Sequence, residues 1–416
     1  KTRPAFTAAR SVGAPRVITS AAVSQPCSQR PQASEPVAVP GQFGVNGVQA
    51  ERHWPPLTLA EAKRVLAFFP NSAVPETVLW HGQRPFSATA LISLTDGTML
   101  FLKRHDPRLR DQNALPEEHA FMAHLGHHGL PVTAACTTRE QHCALTDHGW
   151  VYEVFPPLPG LDLYRDVQSW EPFLCSEHAH TAGGTLARLH LAATDYAAPA
   201  RPDRLLLSSF NAITNPDLET GLRHWAASQP GLNTTLNPEA WQQTLSVLEP
   251  FHAKLRPVLT EIIPCWGHGD WHPSNQFWTS ATPDDEICGI FDFGMSDRTC
   301  AAYDLAVAIE RTAISWLSSH YAVSRSQLSA LLAGYHRVRP LTPQERELVV
   351  AFLPLVHVEF ALSEVAYYST LVQDKASAHV AYADYLLGHA HWFAGRDGQH
   401  LLNWLRETLD AIAACP

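Results

Sequence analysis

The feature that most constrains this chain is a change of pattern at the stiff segment Pro156-Pro157-Leu158-Pro159-Gly160. Before it, short β-rich runs surround one helix; beyond it, helical periodicity dominates. Ser87 to Leu94 and Thr98 to Lys103 are rich in strand formers and are separated by Asp96-Gly97, a pair favoured in tight hairpins because both positions tolerate positive φ. Between Leu115 and His128, Phe121, Met122 and Leu125 recur at helical spacing, and Gly129 with Pro131 ends the helix. Val132 to Cys136 and Cys143 to Phe155 read as strands again. The order β-β-α-β-β, preceded by a short helix after Pro55 and Pro56, predicts a small antiparallel unit joined by prolines to a larger helical one.

Past Gly160, helices are expected over 178–193, 241–259, 303–318, 326–335, 343–370 and 376–393. In 303–318, Leu305, Ile309, Thr312 and Trp316 form one stripe toward a core. Residues 1–53, rich in Ala, Ser, Pro, Gln and Val without sustained periodicity, read as an unstructured extension that carries no chemistry. Its Arg-rich, acid-poor opening has the composition of a transit peptide, and an upstream-extended gene start explains it equally well. The expected domains are thus 1–53, a small lobe over 54–157 and a helical lobe over 158–416.

Net charge is −10, and the first fifty residues carry five basic side chains against Glu35 alone, which leaves −14 for the remainder. That acidic body argues against nucleic acid as a partner, because neutralising a phosphate backbone needs clustered Lys and Arg. No apolar run of about 18 residues is present, so no membrane span is expected. Eight scattered cysteines without a C-x-x-C pair read as reduced, in a cytoplasmic setting. Cys136, His142 and Cys143 lack a fourth ligand and read as packing rather than a metal centre.

Chemistry concentrates in His268-Gly-Asp-Trp-His-Pro-Ser-Asn275 and Ile290-Phe-Asp-Phe-Gly294. Two carboxylates and a carboxamide, Asp270, Asn275 and Asp292, fall on neighbouring loops. Phosphoryl transfer asks for such a set: one group to orient and accept the hydroxyl proton, and hard oxygens to hold magnesium on the phosphates. The string resembles the aminoglycoside phosphotransferase and choline kinase superfamily, whose catalytic loop reads HGDxHxxN and whose metal loop is a variant of the protein-kinase DFG. The resemblance spans roughly Trp80 to Trp316 and implies an α+β, bilobal, protein-kinase-like fold. It implies Asp270 as catalytic base, Asn275 and Asp292 as magnesium ligands, and His268 as a supporting member of the loop. Asp304, in an Asp-Leu-Ala like that of the family, would brace the catalytic loop, and the helix end Leu186-Ala-Arg-Leu-His190 matches another family feature with His190 structural.

In the small lobe the same resemblance assigns Lys103 to the α- and β-phosphates and Glu118 to holding it, with Glu117 a competitor for that role. Glu153, Val154 and Phe155 would be the hinge, whose main chain meets adenine. No G-x-G-x-x-G occurs; Gly82, Ser87, Ala88 and Thr89 occupy the expected nucleotide loop. Asp304 follows Gly294 by ten positions, which leaves no room for a protein-kinase activation segment and favours a small-molecule hydroxyl acceptor such as an amino sugar, amino alcohol, homoserine or sugar. His357, Ala361, Glu364 and Tyr368 share one helix face as a candidate polar wall, and Trp271, Glu310 and Glu364 are candidate acceptor contacts. The resulting expectation is an ATP- and magnesium-dependent phosphotransferase. Its rivals are a nucleotide-binding regulator without turnover, against which the complete Lys, Asp, Asn, Asp set speaks, and an atypical protein kinase.

Overall fold

The computed structural model describes residue 39 and residues 41–414 except 71–72, 166, 208, 283–284 and 319. The expectations for residues 1–38, Cys27 and Cys415 therefore lie outside the described residues. The described chain opens on a hairpin, β1 (Gln42–Phe43) and β2 (Gln49–Ala50), inside the stretch read as unstructured. Helix α1 (Leu59–Leu66) follows, started by a capping box in which Thr58 accepts from the Glu61 amide and Glu61 reaches back to Thr58.

The small sheet has five strands in the order β3-β4-β5-β7-β6: β3 (Pro75–His81), β4 (Ala88–Leu94), β5 (Met99–His105), β6 (Leu145–Asp147) and β7 (Trp150–Phe155), all antiparallel. The Asp96-Gly97 hairpin forms as expected, with Gly97 at φ 82°. Ala90, Ile92, Leu102, Tyr152 and Val154 bury one face of the sheet under α1. Helix α2 (Ala114–His127) crosses between β5 and β6. Two details depart from expectation. The edge strand β3 was missed, and 132–136 is no strand: Val132 makes a single parallel bridge to Ile290, and the Cys136 amide donates to Val154.

The larger part begins with α3 (Ser176–Ala192), α4 (Leu218–Ser228), α5 (Leu232–Thr235) and α6 (Pro238–Leu255). Four short strands come next, β8 (Pro264–Gly267), β9 (Gln276–Trp278), β10 (Ile287–Ile290) and β11 (Asp297–Cys300). Helices α7 (Ala301–Ala313), α8 (Arg325–Val338), α9 (Pro343–Phe352), α10 (Val358–Ala366), α11 (Lys375–Val380), α12 (Gly388–Ala394) and α13 (Arg396–Ala414) complete it.

The expected helix over 343–370 is broken at 353–357, and a π-helical turn, Tyr367–Leu371, continues α10. A second π segment, Ala381–Leu387, joins α11 to α12. Helices α3 and α8 touch backbone to backbone, because a Cβ on Gly183 would strike the Leu331 carbonyl and one on Gly334 the His180 carbonyl. The stripe Leu305, Ile309, Thr312 and Trp316 is buried as expected, although α7 ends at Ala313. Residues 40–416 cluster as one compact unit, so the boundary near residue 157 divides architecture rather than compactness. Among the described residues, no helix is long and apolar enough to cross a membrane, and all six cysteines are unpaired.

Candidate active site

Two small ladders hold the chemical loops. Strand β8 pairs with β11 and β9 with β10, so residues 268–275 are stretched between β8 and β9 while 291–296 are stretched between β10 and β11. Each loop is thus anchored at both ends by the strands that anchor the other. Two further bonds tie them together: His268 Nε2 lies 3.0 Å from the Phe291 carbonyl, and the Phe291 amide donates to the Asn275 carbonyl at 3.2 Å.

Asp304, fully buried on the first turn of α7, braces the 268–275 loop. It accepts from the amides of His268 (2.8 Å) and Gly269 (2.7 Å) and from His190 Nε2 (2.9 Å). That approach needs a glycine at 267, where a Cβ would stand 2.6 Å from the Asp304 carboxylate. Burial pushes the Asp304 carboxyl up, but His190, His268 and the loop amides hold it below the usual range.

Asp270 meets His272 Nε2 at 3.2 Å, Asn275 Nδ2 at 3.3 Å and Arg311 Nε at 3.5 Å. Burial opposes its ionisation, yet the His272 and Arg311 charges hold its carboxyl well below the ordinary range. Asn275 turns its Nδ2 to Asp270, and its Oδ1 makes no hydrogen bond among the described residues. Asp292 adopts the left-handed conformation (φ 59°, ψ 63°), unfavourable for a residue with a Cβ and characteristic of positions held for a purpose. Its Oδ1 stands 3.1 Å from Lys103 Nζ. The Lys103 charge outweighs burial and keeps Asp292 below the usual carboxylate range, while the ring of carboxylates raises Lys103.

Lys103 does not have the partner expected. Its second carboxylate is Glu153, at 3.7 Å, directly opposite it in the β5–β7 register. Glu118 lies outside ion-pairing distance of Lys103 and instead faces Arg201 at 3.5 Å; Glu117 is taken by Arg201 and Arg204. Glu153 is buried, and it also receives His105 at 2.8 Å and His119 at 2.7 Å. It therefore contributes its side chain, where only main-chain contacts were expected of the hinge.

Two adjoining cavities, about 160 and 190 Å³, share Lys103, Glu118, Asn275 and Asp292 on their walls. The second is largely apolar, running past Trp80, Gly82, Thr89, Phe101, Met122, Glu153 and Phe155. The first holds Asp270, His272, Arg84, Arg311, Glu364 and Tyr368. Of the expected nucleotide-loop residues, Ala88 and Thr89 lie on β4 and only Gly82 and Ser87 lie in the loop before it. Trp271 and Glu310 line neither cavity: Trp271 is fully buried against His268, and Glu310 lies between Arg311 (3.6 Å) and His389 (3.2 Å). Within the predicted polar face Glu364 and Tyr368 reach the first cavity, but His357 precedes the helix and binds the Leu386 carbonyl.

Sequence reasoning missed three arginines. Arg84 binds Ser169 and Ser274, each at 2.7 Å, and the Val167 carbonyl. Arg110 ties the carbonyls of Leu205, Leu206 and Gly294 together behind the 291–296 loop, and burial brings its guanidinium down to about 10. Arg311 faces Asp270. None stands in a local motif, and only the long-range fold brings them in. Within the stretch read as unstructured, Phe43, Gly44, Val45 and Gly47 of the first hairpin line the smaller cavity.

The model of the phosphotransferase enzyme family, APH, matches residues 85–347. The chain belongs to this family. Similar curated proteins are named homoserine kinase: that of Granulibacter bethesdensis is 25% identical over 283 residues, 64% of this chain and 72% of the relative. That of Caulobacter sp. strain K31 is 26% identical over 272 residues, 62% and 72% of the two chains. Among solved structures, the amicoumacin kinase hAmiN, in complex with AMP-PNP, Ca2+ and Ami, aligns with a TM-score of 0.53 at 14% identity, over 79% of this chain and 92% of that one. A spectinomycin phosphotransferase in complex with ADP and its antibiotic aligns with a TM-score of 0.51 at 11% identity, over 86% and 99%. The fold of this APH member is thus the α+β kinase-like one, and the protein is a small-molecule phosphotransferase, a kinase for an alcohol group.

Proposed function

We propose that this APH member moves the γ-phosphate of ATP, with magnesium, to the hydroxyl of a small amino-bearing molecule of the homoserine kind. The observation that carries the reading is the meeting of Lys103, Asn275 and Asp292 at the junction of two cavities, with Asp270 in one of them only. The cavity ending at Phe155 suits a nucleotide base, and the one holding Asp270 suits the acceptor. The relatives' shared name favours homoserine-like acceptors among those the chemistry allows.

The donor set fits magnesium: the Asp292 carboxylate and the Asn275 carboxamide oxygen, which makes no hydrogen bond among the described residues, are hard ligands of the type that ion takes. Asn275 and Asp292 would hold it, and when bound it supplies charge neutralisation on the phosphates. Lys103, kept protonated by Asp292 and Glu153, binds phosphate oxygens. Asp270, ionised across the physiological range, orients the acceptor hydroxyl and takes its proton as the bond to phosphorus forms. His272 and Asn275 fix the carboxylate for that task.

Replacing the base separates binding from chemistry. In Asp270→Ala, Mg-ATP should still raise the melting temperature, while ADP formation with homoserine falls at least about 100-fold, the low end for a general base. Turnover equal to wild type would remove Asp270 from the mechanism.

A further inference from the structure

The acceptor cavity contains two buried ionisable side chains, Arg311 and Glu364, with polar atoms that the protein leaves without hydrogen bonds. Arg311 is 5% exposed, yet its guanidinium makes no hydrogen bond among the described residues. Its Nε stands 3.5 Å from Asp270 and 3.6 Å from Glu310, and it is held in place by the rings of Phe360 (4.8 Å) and Trp170 (5.5 Å). Glu364, on α10, is equally buried; its Oε2 has no partner, nor has the hydroxyl of Tyr368 one turn later. No ion pair within 4 Å joins Arg311 to Glu364, so a gap separates them. By contrast, the Arg84 guanidinium is occupied by two serines and a carbonyl, which makes it a wall rather than a receptor.

Buried polar groups without hydrogen bonds are costly, and the planar guanidinium fork of an arginine is shaped for a carboxylate. We propose that Arg311 and Glu364 form the two ends of a clamp for a hydroxy-α-amino acid, Arg311 taking its carboxylate and Glu364, with the Tyr368 hydroxyl, its ammonium. The acceptor hydroxyl then points to Asp270, which shares this cavity. The cavity, of about 160 Å³, has room for a small acceptor between these groups. Burial pushes the Glu364 carboxyl up to about 8, against the pull of Arg311, so an arriving ammonium finds a group that gains by ionising. The clamp rests on the phosphotransfer reading and specifies which acceptors that site accepts.

The test compares L-homoserine with 3-amino-1-propanol, which lacks the carboxylate, and 4-hydroxybutyrate, which lacks the ammonium. With Mg-ATP, kcat/KM for homoserine should exceed each analogue by at least about 100-fold, because an analogue leaves a buried group unpaired. Arg311→Gln should erase the preference over the amino alcohol and keep that over the hydroxy acid; Glu364→Gln should do the reverse. These crossed ratios are insensitive to any general loss of rate from Arg311 touching Asp270. An analogue that matches homoserine, or variants that depress all three acceptors equally, would overturn the clamp. Should none of the three be phosphorylated, calorimetry of homoserine onto the protein carrying a non-hydrolysable ATP analogue decides: absence of binding with the nucleotide still bound overturns the clamp alone. Absence of nucleotide binding overturns the phosphotransfer reading itself.

Discussion

Lys103 lies between Asp292 and Glu153, and the second of these was expected only as hinge backbone. Cross-strand register decides the pairing: residues opposite each other on β5 and β7 project together, whereas Glu118 on α2 is drawn to Arg201. Glu153→Gln should therefore weaken Mg-ATP binding about tenfold more than Glu118→Gln, as read by nucleotide titration; equal effects would restore Glu118 as the partner of Lys103. Asp270, Asn275, Asp292 and Asp304 were legible because their spacing is local and their chemistry is rare in that order. Arg84, Arg110 and Arg311 were not, because each acts through partners up to 190 residues away in sequence, as Arg84 does with Ser274.

Helix α2 is fastened to the sheet by a buried charge cluster rather than by apolar contact alone. His119 on the helix and His105 on β5 both bind Glu153. Burial alone would lower the His119 imidazole, but Cys143, Glu153 and Glu118 outweigh it and raise the group to about 10. Because that value lies above the unfolded one of about 6.5, the stabilisation is complete below pH 6.5 and is lost as pH climbs through about 10. Denaturant unfolding should thus show wild type losing on the order of a few kcal/mol more than His119→Gln between those pH values. Parallel curves would remove His119 from the cluster. At this scale the hairpin at Asp96-Gly97 was readable from turn chemistry, and α1 and α2 from apolar spacing bounded by prolines and, for α2, by Gly129 at its end. Strand β3 escaped because its exposed edge breaks the alternation, and the break between α9 and α10 because apolar spacing runs on through it.

Across the whole molecule, the site is assembled from segments that span almost all of the described chain. The first hairpin reaches it through bonds that composition cannot forecast, the Phe43 amide to the Gln83 carbonyl and Gln168 Nε2 to the Gly47 carbonyl, and the chain just after it through His53 Nδ1 to the Tyr367 hydroxyl. A stretch lacking periodicity was therefore read as idle, while its long-range partners give it a place on the wall of the smaller cavity. The split into a small antiparallel unit and a larger helical one was legible from the order of strand and helix signals, and the kinase-like fold from the resemblance; the two cavities were not, since residues far apart in sequence line them.

The central claim is that Lys103, Asp270, Asn275 and Asp292 together transfer phosphate from Mg-ATP to a small alcohol. Phosphorus NMR of the protein incubated with ATP, magnesium and homoserine tests it most directly. The account predicts a growing phosphomonoester signal matched by ADP, abolished when magnesium is chelated. ADP accompanied only by inorganic phosphate, or ester formation undiminished without magnesium, would contradict it.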